Sequence, residues 1–134
     1  MSLCIAASGH LIALAASAFS LTWTHSVEKT EWREDWLVVE NRLLLEEAAV
    51  SGSGAGIGLP NDAIWRDGVW TYRPGLAPLK QLSLAASGAT VSPWTLCTNE
   101  TCLELGREAG EPVTIWSAES CALPEGSDAS HSTR

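Results

Sequence analysis

Hydrophobic and polar residues alternate along most of the chain in short runs that are separated by turn residues. The clearest example is residues 64–72, where IWR and VWTY flank Asp67-Gly68. An Asp-Gly pair between two alternating runs is the strongest short-range signal for a β-hairpin, and it sets Trp65 opposite Trp70. Such segments in succession predict an all-β fold with little helix, an antiparallel, hairpin-built β-sandwich or partly open barrel. Residues 41–50 are the best helical candidate, but they also alternate like a strand.

The N-terminal residues 1–18 form an apolar segment without a charged side chain. One interpretation is the first hairpin of the domain, with LCIAA and HLIALAA joined by Ser8-Gly9. The alternative is a signal peptide or membrane anchor. Against it, no Lys or Arg precedes the apolar run, and the run is too broken for the roughly 20 apolar residues of a spanning helix. No stable membrane span is predicted, and composition alone leaves hairpin and signal peptide open.

The rest of the chain divides by polarity. Residues 19–105 carry the alternating runs and are predicted to form the core β domain. Residues 106–134 form a more polar C-terminal extension, and its last ten residues, EGSDASHSTR, have a composition typical of disorder.

The strand that ends near His25 carries this histidine on its apolar face. A loop at 28–31 sets Trp23 opposite Trp36 and His25 opposite Glu34 in the next strand. The remaining pairs in this register are apolar, so burial favours it.

The next turn extends the polar positions to a third strand. A turn at Glu40-Asn41 sets Glu34 opposite Glu47, so the sequence predicts an inward polar row of His25, Glu34 and Glu47. Three interpretations stay open: a satisfied core network, a ligand site, or a metal site, since one His and two Glu resemble a zinc or iron ligand set. No HExxH spacing supports the metal, and no GxSxG motif supports a serine hydrolase.

A glycine-rich stretch, SGSGAGIG, occupies residues 51–58. It is neither a P-loop nor a dinucleotide fingerprint, because no Gly-Lys-Ser/Thr follows and Pro60 stands where a helix would begin. One interpretation is a loop or bulge in which glycine is needed for the backbone. The other is that Gly52, Gly54 and Gly56 present backbone N–H groups to a small anion or carboxylate beside the polar row.

Cys97 and Cys102 flank a short turn and are predicted to oppose each other in a hairpin. Opposed positions lie close enough for a disulfide, which we expect if the compartment is oxidising; otherwise both are free thiols. Cys4 and Cys121 have no partner nearby in the sequence.

Composition limits the classes of function. The 134-residue chain has a net charge of −8, and no cluster of Lys and Arg suits a nucleic-acid partner. No cofactor motif is present, so no cofactor is predicted. Seven tryptophans against one Phe and one Tyr also suggest a docking protein that uses exposed indoles.

Four segments together resemble a known bacterial family, the domain of unknown function 1850: THSVEKTEWREDW, LLLEEAAVSGSGAGIGLP, WTYRP and WTLC. The resemblance favours the N-terminal hairpin and implies a context beside tripartite ATP-independent periplasmic transporters. The chain departs from the family pattern at Ile57 and Gly58. The family's motif positions correspond here to His25, Ser26, Glu28, Glu34, Glu47, Gly52, Gly54 and Gly56.

These observations favour binding over catalysis. The expected function is a transporter-associated accessory or a module that binds a small anion or carboxylate. The expected partners are that ligand or subunits of a tripartite transporter, and nucleic acid is not expected. The alternatives are a metal-assisted hydrolase that uses His25, Glu34 and Glu47, or a purely structural docking domain. The cysteine hairpin favours a periplasmic or cell-envelope location, whereas the lack of a clear signal peptide allows a cytoplasmic one.

Overall fold

The computed structural model describes residues 2–7, 9–25, 30–51, 62–84, 93–107, 110–122 and 132–133. These residues form β-strands joined by turns, and no helix occurs among them. The strands are β1 Ser2–Ala7, β2 His10–Leu14, β3 Ala18–His25, β4 Thr30–Val39, β5 Arg42–Ser51, β6 Ile64–Arg66, β7 Val69–Tyr72, β8 Gln81–Leu84, β9 Trp94–Cys97, β10 Cys102–Leu105, β11 Val113–Ala118 and β12 Ser132–Thr133.

The strands form two sheets. The smaller sheet has the order β12-β8-β11-β1-β2, and the larger has the order β10-β9-β3-β4-β5-β7-β6. Neighbouring strands are antiparallel, except that β12 runs parallel to β8. The two sheets pack against each other without closing into a barrel. The predicted all-β antiparallel fold is therefore confirmed, and of the two expected architectures the structure forms the sandwich.

The core lies between the two sheets and follows from the alternation within each strand. In β1, Leu3 and Ile5 are fully buried, and in β4 Trp36 is buried from the opposite side. Complete burial of such a side chain stabilises the fold by about 1.5–3 kcal/mol. The core cluster consists of Leu3, Ile5, Phe19, Leu21, Trp36, Leu43, Leu45, Leu82, Leu84, Trp94, Leu96, Leu105, Val113 and Ile115.

The apolar N-terminal segment forms the predicted hairpin. β1 and β2 pair with Leu3 opposite Leu14 and Ala7 opposite His10. Gly9 has a φ of 78°, a backbone conformation that glycine adopts at little cost. In the part of the chain that the structure describes, no helix is long and apolar enough to cross a membrane.

The polar segment 106–134 contributes a core strand. β11 lies between β1 and β8 in the smaller sheet, and its Val113 and Ile115 are buried. VTIWSA alternates as a strand does, but it is only six residues long and lies between polar segments, so its signal in the sequence is weak. The C-terminal segment therefore takes part in the sandwich.

The β6–β7 hairpin confirms the strongest turn signal. Trp65 is opposite Trp70, and the ring centroids are 5.1 Å apart. Asp67 and Gly68 have φ values of 53° and 81°, as a type I′ turn requires.

Candidate functional site

His25 is the last residue of β3 and pairs through its backbone with Thr30, the first residue of β4. The predicted pairing of His25 with Glu34 is therefore wrong. The whole β3–β4 register differs by four positions from the predicted one: Trp23 is opposite Trp32, and Glu34 is opposite Leu21. The side chain of His25 lies outside the described part of the structure.

Burial alone could not distinguish the two β3–β4 registers. A shift by an even number of residues keeps every side chain on the same face, so both registers bury the same apolar residues. The observed register instead brings aromatic side chains together. Phe19 stacks with Trp36 and Trp23 with Trp32, each pair at 6.2 Å between ring centroids, and such cross-strand pairs add stability.

The pairing of β4 with β5 begins as predicted and then changes. Trp36 is opposite Leu45, but the register shifts between Asp35 and Trp36. Beyond the shift, Asp35 is opposite Glu47. The predicted pairing of Glu34 with Glu47 is therefore wrong.

The register shift is a β-bulge at Glu46, and it turns Glu47 away from the core. Glu34 lies opposite Ala48, which is buried, whereas Glu47 is only half-buried beside exposed Glu46. A regular ladder would have placed Glu47 on the inner face, where an ionised carboxylate is costly. The predicted inward row of His25, Glu34 and Glu47 is therefore not formed.

This arrangement also argues against the predicted metal site. Glu34 and Glu47 lie on opposite faces of the larger sheet, so their carboxylates cannot ligate the same ion. Among the described residues, no group of three His, Cys, Asp or Glu side chains is placed to hold a metal ion.

Glu34 is a buried carboxylate on the inner face of β4. Glu34 is 4% exposed, and the indole Nε1–H of Trp36 donates a hydrogen bond to its Oε1 at 3.2 Å. Trp36 itself is 1% exposed. The indole therefore helps to satisfy the carboxylate where water has little access.

The two stretches that carry most of the motif positions leave the larger sheet at the same end. The stretch after His25 returns at Thr30, and the glycine stretch leaves after Ser51. The backbone N–H of Glu31 donates to Ser51 Oγ at 3.0 Å, and this hydroxyl donates to the Glu31 carbonyl oxygen at 3.4 Å. Ser26, Glu28, Gly52, Gly54 and Gly56 lie outside the described residues, so their predicted roles stay predictions.

A row of tryptophans crosses the larger sheet on its inner face at this same end. Trp23 is opposite Trp32, Trp32 is opposite Val50, and Val50 is opposite Trp70. The row continues to Trp65 in β6 and to Trp94 in β9, whose ring centroid is 4.6 Å from that of Trp23. We call Trp94, Trp23, Trp32, Trp70 and Trp65 the tryptophan row.

Burial decreases along the tryptophan row. Trp94 is buried, Trp23 packs against the core cluster, Trp32 and Trp70 are half-buried, and Trp65 is 48% exposed. At a strand spacing of about 4.8 Å, six neighbouring strands carry the row over about 24 Å. Sequence reasoning found the Trp65–Trp70 pair but missed the row, because the row depends on the correct β3–β4 register.

The outer face of the larger sheet carries two shallow depressions beside the bulge. Asp35 and Glu46 border one of about 290 Å³. Glu47 borders another of about 230 Å³, together with Thr71 and Arg73. Tyr72 is opposite Ala48 and therefore lies on the inner face of the sheet. Burial raises the pKa of the Tyr72 phenol above its ordinary value of 10.0.

Two disulfides connect the four cysteines. Cys97 and Cys102 are opposite each other, as predicted, and the structure joins them by a disulfide. The second disulfide joins Cys4 to Cys121 across 117 residues of sequence. The sequence offers no local signal for this second bond, because β1 and the segment that follows β11 meet only in the folded sheet.

A model of the protein family described as Domain of unknown function (DUF1850) matches residues 19–105. The match covers more than half of the chain. The chain belongs to the DUF1850 family. Searches of curated proteins and of solved structures gave no match.

The segment that matches DUF1850 includes the whole larger sheet. It runs from β3 to β10 and so contains the tryptophan row, the buried Glu34 and the Cys97–Cys102 disulfide. β1, β2, β11 and the Cys4–Cys121 disulfide lie outside the matched segment. The DUF1850 match therefore contains all the candidate site residues and only part of the smaller sheet.

Proposed function

We propose that this member of the DUF1850 family is a non-catalytic module that binds a small organic carboxylate. One observation carries the proposal. The stretches after His25 and after Ser51 leave the larger sheet next to each other, at the end where the tryptophan row crosses its inner face. The strand ends from which these two stretches leave thus lie at the same end of the larger sheet as the tryptophan row.

The tryptophan row and the glycine stretch suit different parts of a ligand, its apolar body and its carboxylate. Binding sites for small molecules are mostly apolar and aromatic, with a few polar groups that fix orientation. The half-buried indoles of Trp32 and Trp70 offer apolar faces to the body of the ligand. The glycine stretch, from its sequence, would offer backbone N–H groups to the carboxylate.

The binding experiment measures the affinity of the purified chain for a panel of small organic carboxylates by isothermal titration calorimetry. We expect at least one of them to bind, and Trp32→Ala to weaken its binding at least tenfold. Trp116→Ala is the matched control, because Trp116 is also half-buried but lies in β11 of the smaller sheet. Circular dichroism verifies that both variants fold.

Two results would contradict the proposal. One is that no carboxylate binds to the folded wild-type chain. The other is that Trp32→Ala and Trp116→Ala weaken binding equally, which would indicate a general loss of structure.

We further propose that the module is an accessory of a bacterial tripartite ATP-independent periplasmic transporter. The support for this part is the family resemblance. Pull-down with transporter subunits tests it, with His25→Ala and Trp70→Ala compared side by side. Retention of the subunits by the wild-type chain and their loss in a variant would support the accessory role, and failure of the wild-type chain to retain any subunit would contradict it.

A docking domain is the second candidate, because Trp65 is 48% exposed at the β6 edge of the larger sheet. It predicts that Trp65→Ala abolishes subunit capture while carboxylates fail to bind. The metal-assisted hydrolase is not favoured, because its two glutamates lie on opposite faces of the sheet.

A further inference from the structure

The β9–β10 hairpin carries its disulfide at an accessible edge of the molecule. β10 is an edge strand of the larger sheet as described, and Leu96 and Leu105 point into the core. Cys97 and Cys102 lie on the opposite, outer face, where Cys102 is exposed and Cys97 is half-buried. A thiol in solution can therefore reach this disulfide without any opening of the core.

The turn of this hairpin closes through hydrogen bonds that do not involve sulfur. The Thr98 N–H donates to the Thr101 carbonyl oxygen at 2.8 Å. The Thr98 hydroxyl oxygen accepts from the N–H groups of Glu100 and Thr101, each at 3.2 Å. These bonds hold the two strand ends together, so we expect the hairpin to persist when the disulfide is reduced.

The Cys4–Cys121 disulfide differs in its burial and in the length of chain that it closes. Cys4 is fully buried, and the Cys4–Cys121 bond closes 117 residues of chain, whereas the Cys97–Cys102 bond closes five. A disulfide restricts the unfolded chain more when it closes a longer loop. Cys4–Cys121 therefore has the position of a structural bond, and we expect Cys97–Cys102 to contribute less to stability than Cys4–Cys121 does.

The outer surface beside Cys97 has room for a reacting partner. Cys97 borders the shallow depression of about 290 Å³ that Ser20, Asp35 and Asn99 also line. These residues bring hydrogen-bonding groups to the lining of the depression. Exposed disulfides are typically the labile and regulatory ones.

We propose that Cys97–Cys102 is a reversible thiol–disulfide exchange site that reacts with a dithiol. A thiolate of the dithiol attacks the Cys102 sulfur, the Cys97–Cys102 bond breaks, and Cys97 leaves as a thiolate. The second thiolate of the dithiol then attacks the dithiol's other sulfur, which is bonded to Cys102 in the mixed disulfide. Cys102 leaves as a thiolate, and the dithiol closes into a disulfide. The dithiol loses two electrons and two protons, and the protein gains two thiols.

The test exposes the folded chain to increasing concentrations of dithiothreitol, followed by alkylation and mass spectrometry of the peptides. We expect Cys97 and Cys102 to become alkylated at a dithiothreitol concentration at least tenfold lower than Cys4 and Cys121 require. The circular dichroism spectrum should stay unchanged over that range. Glutathione disulfide, added after removal of dithiothreitol, should restore the Cys97–Cys102 bond.

Thr98→Val separates an exchange site from a disulfide that is merely accessible. Because this variant lacks the hydroxyl that closes the turn, its two thiols should meet less often, and its bond should re-form several-fold more slowly than in the wild-type chain. Thr101→Val is the control, because the Thr101 side chain makes none of the three hydrogen bonds described above.

Three results would overturn the proposal. The first is reduction of both disulfides at the same dithiothreitol concentration. The second is loss of the folded spectrum when Cys97–Cys102 is reduced, and the third is failure of the bond to re-form in the folded chain.

Discussion

Glu34 lies on the inner face of β4, and its carboxylate accepts a hydrogen bond from the indole of Trp36. Replacement of Glu34 by Ala leaves this buried indole N–H without that acceptor, which typically costs about 1–3 kcal/mol. We expect Glu34→Gln to lower the free energy of unfolding by less, because its amide oxygen can still accept the hydrogen bond.

Urea unfolding of these variants measures the difference. Glu47→Ala is the control, because Glu47 is half-buried on the outer face, and we expect it to change stability by less than about 0.5 kcal/mol. Equal effects of Glu34→Ala and Glu34→Gln would show that the hydrogen bond from Trp36 is not the main contribution.

Tyr72 links stability to pH, because burial raises the pKa of its phenol above 10.0. Well below pH 10 the phenol is protonated in both the folded and the unfolded chain. As the pH rises further, the unfolded chain loses this proton first, so stability falls and the contribution is lost as the pH passes the folded-state pKa. We expect Tyr72→Phe to remove the part of the alkaline decrease in stability that comes from ionisation of this phenol.

The chain contains one tyrosine, so the near-ultraviolet absorbance of tyrosinate reports on Tyr72 directly. The titration midpoint of the folded chain should lie above that of the urea-unfolded chain. A folded midpoint at or below the unfolded one would contradict burial as the dominant effect.

The β6–β7 hairpin depends on a turn with positive φ at two consecutive residues. Gly68 has a φ of 81°, and an added Cβ would meet no atom within 4 Å. Any cost of Gly68→Ala therefore comes from the backbone conformation, and we expect a loss of about 1–2 kcal/mol in the free energy of unfolding. Gly110→Ala is the matched control, because Gly110 has equally open surroundings without a positive φ in the same range.

Thermal or urea unfolding of the two glycine variants separates conformation from space. Gly110→Ala should be neutral or slightly stabilising. If both substitutions lower the free energy of unfolding by the same amount, the positive φ of Gly68 does not explain its effect.

The strands were easier to predict than the way in which they pair. Asp67-Gly68 and Ser8-Gly9 lie between alternating runs, so each turn determines the register of its own hairpin. The β3–β4 connection has no such pair, and two registers four positions apart bury the same faces. The bulge at Glu46 was not predicted either, since it reflects the cost of an inward Glu47 and not a turn signal.

The two disulfides should contribute unequally to the stability of the whole molecule. From the closed lengths of 117 and five residues, loop closure predicts contributions of about 5 kcal/mol for Cys4–Cys121 and about 2 kcal/mol for Cys97–Cys102. Cys4→Ser with Cys121→Ser should therefore destabilise the chain far more than Cys97→Ser with Cys102→Ser. Thermal unfolding of the two double variants tests this order, and a reversed order would contradict it.

The candidate site was predictable in its parts and not in its assembly. The sequence marked Glu34 as inward, and the structure buries it; it also indicated the Trp65–Trp70 pair. It wrongly joined His25, Glu34 and Glu47, and it missed the tryptophan row, which needs the registers of six strands at once.

Local patterns in the amino-acid sequence were sufficient for the all-β class, the β1–β2 and β6–β7 hairpins and the facing pair Cys97 and Cys102, because each depends on residues close together in the chain. The β3–β4 register, the bulge at Glu46, the core position of β11 and the Cys4–Cys121 bond became clear only in the folded molecule. These features depend on aromatic pairing, on the cost of a buried carboxylate and on contacts between distant segments. Such contacts form only when segments that are far apart in the chain come together in the folded sheets.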